Sequence, residues 1–150
     1  MMPCNTTVSI EEAIMQIAKA KGKEIKGLET MAFQASVFDS IPYEKQAAEL
    51  LQTIDSMDNS KKYFSLMLTA YKEQRLDKIE NIINNPEFGS TENQDLLLDN
   101  RNKNWVGQLK EIMKKGPVFT AVGAGHLVGK AGLIALLRAE GYTVKGVENK

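Results

Sequence analysis

One cysteine, one histidine, one tryptophan and four prolines are all that these 150 residues contain of those types. A single Cys closes no internal disulfide, so no disulfide framework holds the fold. A single His supplies neither both imidazoles of a two-His metal site nor a His pair. An excess of one charge is also missing. The 19 Lys and Arg balance 19 Asp and Glu, for a formal net charge of +0, which argues against a nucleic-acid or acidic-membrane partner held by bulk electrostatics. No run approaches the roughly 18 consecutive apolar residues of a membrane helix. The opening Met1-Met2-Pro3-Cys4-Asn5-Thr6-Thr7 has neither the basic nor the apolar region of a signal peptide. Cys4 does not follow the apolar stretch that a lipoprotein anchor requires. The chain as given carries no address, and its compartment stays open.

What is present is ordinary for a soluble globular domain: 43% hydrophobic and 25% charged residues. A domain of this length buries about 68–70% of its unfolded surface, enough for one core. With no repeat or low-complexity run, residues 1–150 are expected to form a single domain.

Ser9-Ile10-Glu11-Glu12 predicts a helix start, with Ser9 as N-cap and Glu12 completing a capping box. Ile10, Ala13, Ile14, Ile17 and Ala18 then form one apolar stripe, and Gly22 ends the helix. Residues 24–28 are expected to be a short strand and 30–38 a helix, stopping before Pro42, which suits the first turn of the next helix. Residues 42–115 contain no convincing strand. Ala47, Leu50, Leu51 and Ile54 make one helical stripe, Phe64, Met67, Leu68 and Tyr71 a second, and Leu76, Ile79 and Ile83 a third. Asn84-Asn85-Pro86 breaks the chain. A further helix is expected over 92–115, with Lys114 and Lys115 complementing its dipole and Gly116-Pro117 stopping it.

The end of the chain changes character. Val118-Phe119-Thr120-Ala121-Val122 predicts a buried strand, Gly123-Ala124-Gly125-His126 a tight loop, 133–137 an apolar helix capped by Gly141, and 142–147 another strand. Such a strand–helix–strand unit should be a right-handed parallel crossover. The expected fold is therefore α/β: a small mixed or parallel sheet with a large helical segment, about 42–115, inserted between its strands.

Several polar residues fall where chemistry is done. With Leu98 at zero and about 100° per residue, Trp105, Leu109, Ile112 and Met113 lie within about 60° of it, and Arg101 and Asn102 share that arc. A guanidinium and an amide on an apolar stripe are costly unless paired or lining a cleft; the plainer alternative is a pair reaching solvent at the stripe's edge. Gly123 and Gly125 let the backbone bend and approach a ligand. His126 follows them at a strand's carboxyl end, where ligands gather in open α/β sheets. An imidazole there binds a metal, moves a proton, or is simply structural. Glu29 ends the first short strand, so parallel neighbouring strands would open Glu29 and His126 onto one rim, as a metal or acid–base pair. Glu29 would otherwise be a solvated acid at a helix N-terminus, with Gln34 orienting it or simply exposed.

Gly27-Leu28-Glu29-Thr30 with Gln34, Arg101-Asn102 with Trp105, and Val122-Gly123-Ala124-Gly125-His126-Leu127 with Gly129 and Gly132 together resemble the TraB/PrgY/GumN family. Gly141-Tyr142-Thr143-Val144 matches its usual ending. The resemblance spans about residues 9–147, and the blocks are specific in this order though weak singly. Members of the family, and the similar Tiki proteins, carry two Gly-x-x-His motifs on a duplicated α/β core, and the Tiki branch is described as metal-dependent proteases. The resemblance implies that Gly123-Ala124-Gly125-His126 is the second such motif, and that Glu29, Arg101 and Asn102 match further polar site positions. No His precedes Glu29, so the chain is similar to the C-terminal part of a family member; the compartment is unknown, and the resemblance leaves open a parent that is exported or membrane-associated.

The first functional expectation is thus a parent metal-dependent hydrolase acting on peptides or proteins. His126 and Glu29 would be ligands of Mn²⁺, Co²⁺ or Zn²⁺ or acid–base groups, and Arg101 or Asn102 would stabilise an oxyanion. This chain alone would bind metal weakly or not at all and be inactive. A non-catalytic peptide-binding or regulatory domain is the second. The third is a Rossmann-like dinucleotide module, since Gly123, Gly125 and Gly129 precede a helix and Glu148 ends the next strand; its spacing is Gly-x-Gly-x-x-x-Gly, and no strands follow. An exposed sheet edge would also favour a homo-oligomer.

Overall fold

A computed structural model describes residues 8–88 and 93–147. The described backbone falls into two compact units, Met1–Thr30 and Met31–Lys150.

The first unit holds α1, Ile10–Ala20. The Ser9 hydroxyl oxygen accepts the Glu12 backbone N–H at 3.2 Å, as a capping residue should, while the carboxylate that meets the Ser9 hydroxyl is that of Glu11, at 3.0 Å. Gly22 closes the helix in the left-handed region at φ +61, with the Lys23 N–H returning to the Ala18 carbonyl at 2.9 Å. No α1 residue is buried; Ile10 and Ile17 are 58% and 59% exposed.

The second unit carries α2 (Met31–Asp39), α3 (Tyr43–Asp55), α4 (Met57–Lys72), α5 (Leu76–Ile83), α6 (Asn100–Met113) and α7 (Leu133–Ala139). Pro42 is the N-cap of α3. Helix α4 packs on α5, α6 on α7, and a five-residue π-helical turn, Asp95–Asp99, runs directly into α6. The expected start of that helix at Glu92 lies outside the described residues. The π turn breaks the constant 100° step, so the face of α6 is set from Asn102: Asn102, Trp105, Val106 and Leu109 are buried, at i, i+3, i+4 and i+7. They share the core with Ile41, Ala70, Ile79 and Leu133. The expected α3 stripe is helical but uncovered, with Leu50 and Leu51 both 61% exposed.

The expected sheet is not formed. Among the described residues no strand occurs, and segments 24–28, 118–122 and 142–147 are irregular chain. The α/β expectation is corrected to an all-helical arrangement. The physical reason lies in what β propensity measures, the fit of a side chain to a pleated, half-buried surface with a partner strand. Phe119 is 77% exposed, and no ladder partner meets 118–122. In the last segment the Arg138 guanidinium donates to the Val144 carbonyl at 2.9 Å.

Gly107 lies on the exposed side of α6, and a Cβ there would meet nothing within 4 Å. Gly107→Ala is therefore expected to stabilise the protein by about 0.5–1 kcal/mol through reduced freedom of the unfolded chain. A rise in the urea midpoint at unchanged slope is the measurement.

Candidate functional site

The turn before α7 begins with a single 3-10 turn, Ala124–His126, closed by the His126 N–H on the Gly123 carbonyl at 3.0 Å. Its last residue, His126, is 9% exposed. The ring lies between two side chains of α6. Nδ1 is 2.7 Å from Asn102 Oδ1. The Trp105 ring packs on the imidazole with centroids 4.4 Å apart and planes tilted by 41°.

Asn102 is 1% exposed, and both ends of its amide are engaged: Nδ2 donates to the Ala131 carbonyl at 2.9 Å. That bond ties α6 to the residues immediately before α7. Arg101 completes a column. Its Cζ lies 5.0 Å from the Trp105 ring centroid, and Nη1 donates to the carbonyl of Leu97, in the middle of the π segment, at 2.9 Å. A guanidinium over an indole face is a favourable cation–π contact, and it resolves the cost of placing Arg101 beside an apolar stripe. Arg101, Trp105, His126 and Asn102 thus form one contiguous cluster.

The remaining candidates are Glu29 and Gln34. Glu29 is half-buried and belongs to the first unit. It follows a tight bend in which a Cβ on Gly27 would come 2.9 Å from the Glu29 carbonyl oxygen. Neither 24–28 nor 118–122 is a strand, so no sheet rim exists among the described residues for Glu29 and His126 to share. Gln34 is an exposed residue of α2.

Neither glycine of the Gly-Ala-Gly turn is required by a positive φ or by lack of space. Gly123 has φ -60 and ψ 143, and Gly125 has no positive φ. A Cβ at Gly123 would touch only His126 Cδ2 at 3.8 Å, and at Gly125 it would lie 3.6 Å from Ile83 Cδ1, both ordinary contacts. In this turn the glycine that space demands is Gly132, where a Cβ would stand 2.2 Å from the Val128 carbonyl oxygen. Composition alone did not single out Gly132, Ala131 or Val106. The only signal in the chain was the glycine spacing after His126, since a backbone carbonyl's role carries no side-chain signature.

The dinucleotide expectation rested on a strand leading into the Gly-rich turn, and that strand is absent among the described residues; Glu148 lies outside them. No helix of the described residues is long and apolar enough to cross a membrane. A family model described as the TraB/PrgY/gumN family matches residues 2–146. No curated protein and no solved structure matches the chain. The chain belongs to the TraB/PrgY/gumN family.

Proposed function

From that membership, we propose that this chain supplies His126 to the site of a metal-dependent hydrolase acting on peptides, with Glu29 as a second ligand or acid–base group. The observation that carries the reading is the packing of the Gly-Ala-Gly-His imidazole against Asn102 and Trp105, with the Arg101 guanidinium over the indole ring. Arg101 is a permanent cation and the group best suited to stabilise a developing oxyanion.

Catalytic metal sites typically take three protein ligands and leave one position open. The sequence holds one His, and among the described residues no three His, Cys, Asp or Glu side chains are grouped to hold an ion. In this reading the described residues supply part of a coordination set, and further ligands come from another segment or copy.

Titrating Mn²⁺, Co²⁺ and Zn²⁺ into the purified chain, with a mixed-peptide cleavage assay alongside, tests this. The expected result is weak binding that His126→Ala abolishes and Glu29→Gln reduces, without turnover. Turnover by the chain alone, lost in His126→Ala, would overturn the incomplete-site part. Metal binding indifferent to His126 would overturn the ligand assignment, and peptide affinity that survives chelator would favour a sequestering protein.

A further inference from the structure

The orientation of the Asn102 amide is fixed from its far end. Nδ2 lies 2.9 Å from the Ala131 carbonyl oxygen, and only the NH₂ group can face an acceptor at that distance; the inverted amide would set two oxygens against each other. Oδ1 therefore faces His126 Nδ1 at 2.7 Å. An amide oxygen can only accept, so the proton in this contact belongs to Nδ1. A neutral imidazole carries one proton, which leaves the lone pair on Nε2.

We propose that Asn102 is a positioning residue that holds neutral His126 as its Nδ1–H tautomer and thereby makes Nε2 the nitrogen through which this ring ligates or accepts a proton. Imidazole in water prefers the opposite arrangement, with its proton on Nε2, so the fold reverses the default. Burial makes the reversal effective. Asn102 is 1% and His126 9% exposed, and in such surroundings water does not readily replace a lost partner. Flipping the ring by 180° would present Cδ2 to the Asn102 oxygen and forfeit the bond, and Trp105 packs on the ring at 4.4 Å between centroids. Because the same amide holds the Ala131 carbonyl, the tautomer is coupled to the backbone just ahead of α7. Fixing a His ligand's tautomer through its other nitrogen is the usual task of an outer-shell partner. The functional meaning rests on the reading of His126 as a reactive group.

Since His126 is the only histidine, ¹⁵N-histidine labelling gives one imidazole spin system in the full chain. Long-range ¹H–¹⁵N correlation at a pH where the ring is neutral reads the tautomer with no metal or substrate present. The expected spectrum has a pyrrole-type Nδ1 and a pyridine-type Nε2. Asn102→Ala should move the population towards Nε2–H by about tenfold or more. A wild-type spectrum dominated by Nε2–H, or a folded Asn102→Ala protein with the wild-type tautomer, overturns the proposal. If Asn102→Ala does not fold, the wild-type spectrum decides. Failure of the hydrolase reading would leave this spectrum unchanged, and a wrong tautomer would leave the metal titration unchanged.

Discussion

Gly132→Ala is expected to destabilise the protein by about 3 kcal/mol or more, the upper end of what overpacking costs. Backbone conformation is not the reason. Gly132 has φ -72 and ψ 154, which any residue adopts. The obstacle is space: a Cβ would lie 2.2 Å from the Val128 oxygen, 2.6 Å from the Leu127 oxygen and 2.6 Å from the Val128 carbonyl carbon. These are backbone atoms, which cannot turn aside as a side chain can. Leu127 is held by its N–H on the Ala124 carbonyl at 3.1 Å, and Gly132 by its own on Gly129 at 3.1 Å. Relief must shift the 127–132 backbone, and with it the Ala131 carbonyl that anchors Asn102. The strain would therefore reach His126, and the single imidazole resonance should broaden or split. Urea denaturation followed by far-UV circular dichroism measures the stability, and a loss below about 1 kcal/mol would show that the turn has room to yield. Gly141→Ala is the informative comparison. There φ is +88 but nothing lies within 4 Å of the added Cβ, so only conformational strain is tested.

Trp105→Ala should cost about 3–5 kcal/mol, a large share of the roughly 5–15 kcal/mol that holds a typical domain together. Trp105 is 4% exposed and occupies the centre of the α6 face between Asn102 and Leu109. Removing the indole leaves a cavity and deletes two specific contacts: the packing on His126, worth about 0.5–1.5 kcal/mol, and the seat of the Arg101 guanidinium, worth about 0.5–1 kcal/mol near a surface. Trp105→Phe keeps an aromatic face and should recover more than half of the loss. As the only tryptophan, Trp105 also reports its own surroundings in the wild type, while the variants need circular dichroism. An alanine variant within about 1 kcal/mol of wild type would remove Trp105 from the core.

Helix α1 was legible because its signals are local: Ser9 offers a cap, the apolar residues recur at helical spacing, and Gly22 takes the left-handed turn. Gly141 closes α7 in the same way, with the Tyr142 N–H on the Leu137 carbonyl at 3.0 Å. The three polar-site blocks were legible as a pattern, and the family match over residues 2–146 agrees with them. The shared face of Arg101, Asn102 and Trp105 followed from helical periodicity. What each does there did not. Asn102 could have been a solvated amide or a cleft donor, and only packing engaged both ends of its amide, on His126 and on the Ala131 carbonyl.

The strands failed for the complementary reason. Val118, Phe119 and Val122 have the composition of a sheet, but a ladder is a contract between two segments, and the described residues contain no second party. Apolar spacing likewise predicted helix α3 without deciding whether Leu50 and Leu51 would be covered. By itself the sequence determined what depends on a residue and its near neighbours along the chain: helix limits, caps, turns, and the family pattern around a solitary histidine. Tertiary structure alone decided what depends on distant partners: the absence of a sheet among the described residues, the lack of space for a side chain at Gly132, and which nitrogen of His126 meets Asn102. Local energetics are written into the order of residues, whereas a hydrogen bond across 24 or 29 positions exists only once the chain has packed.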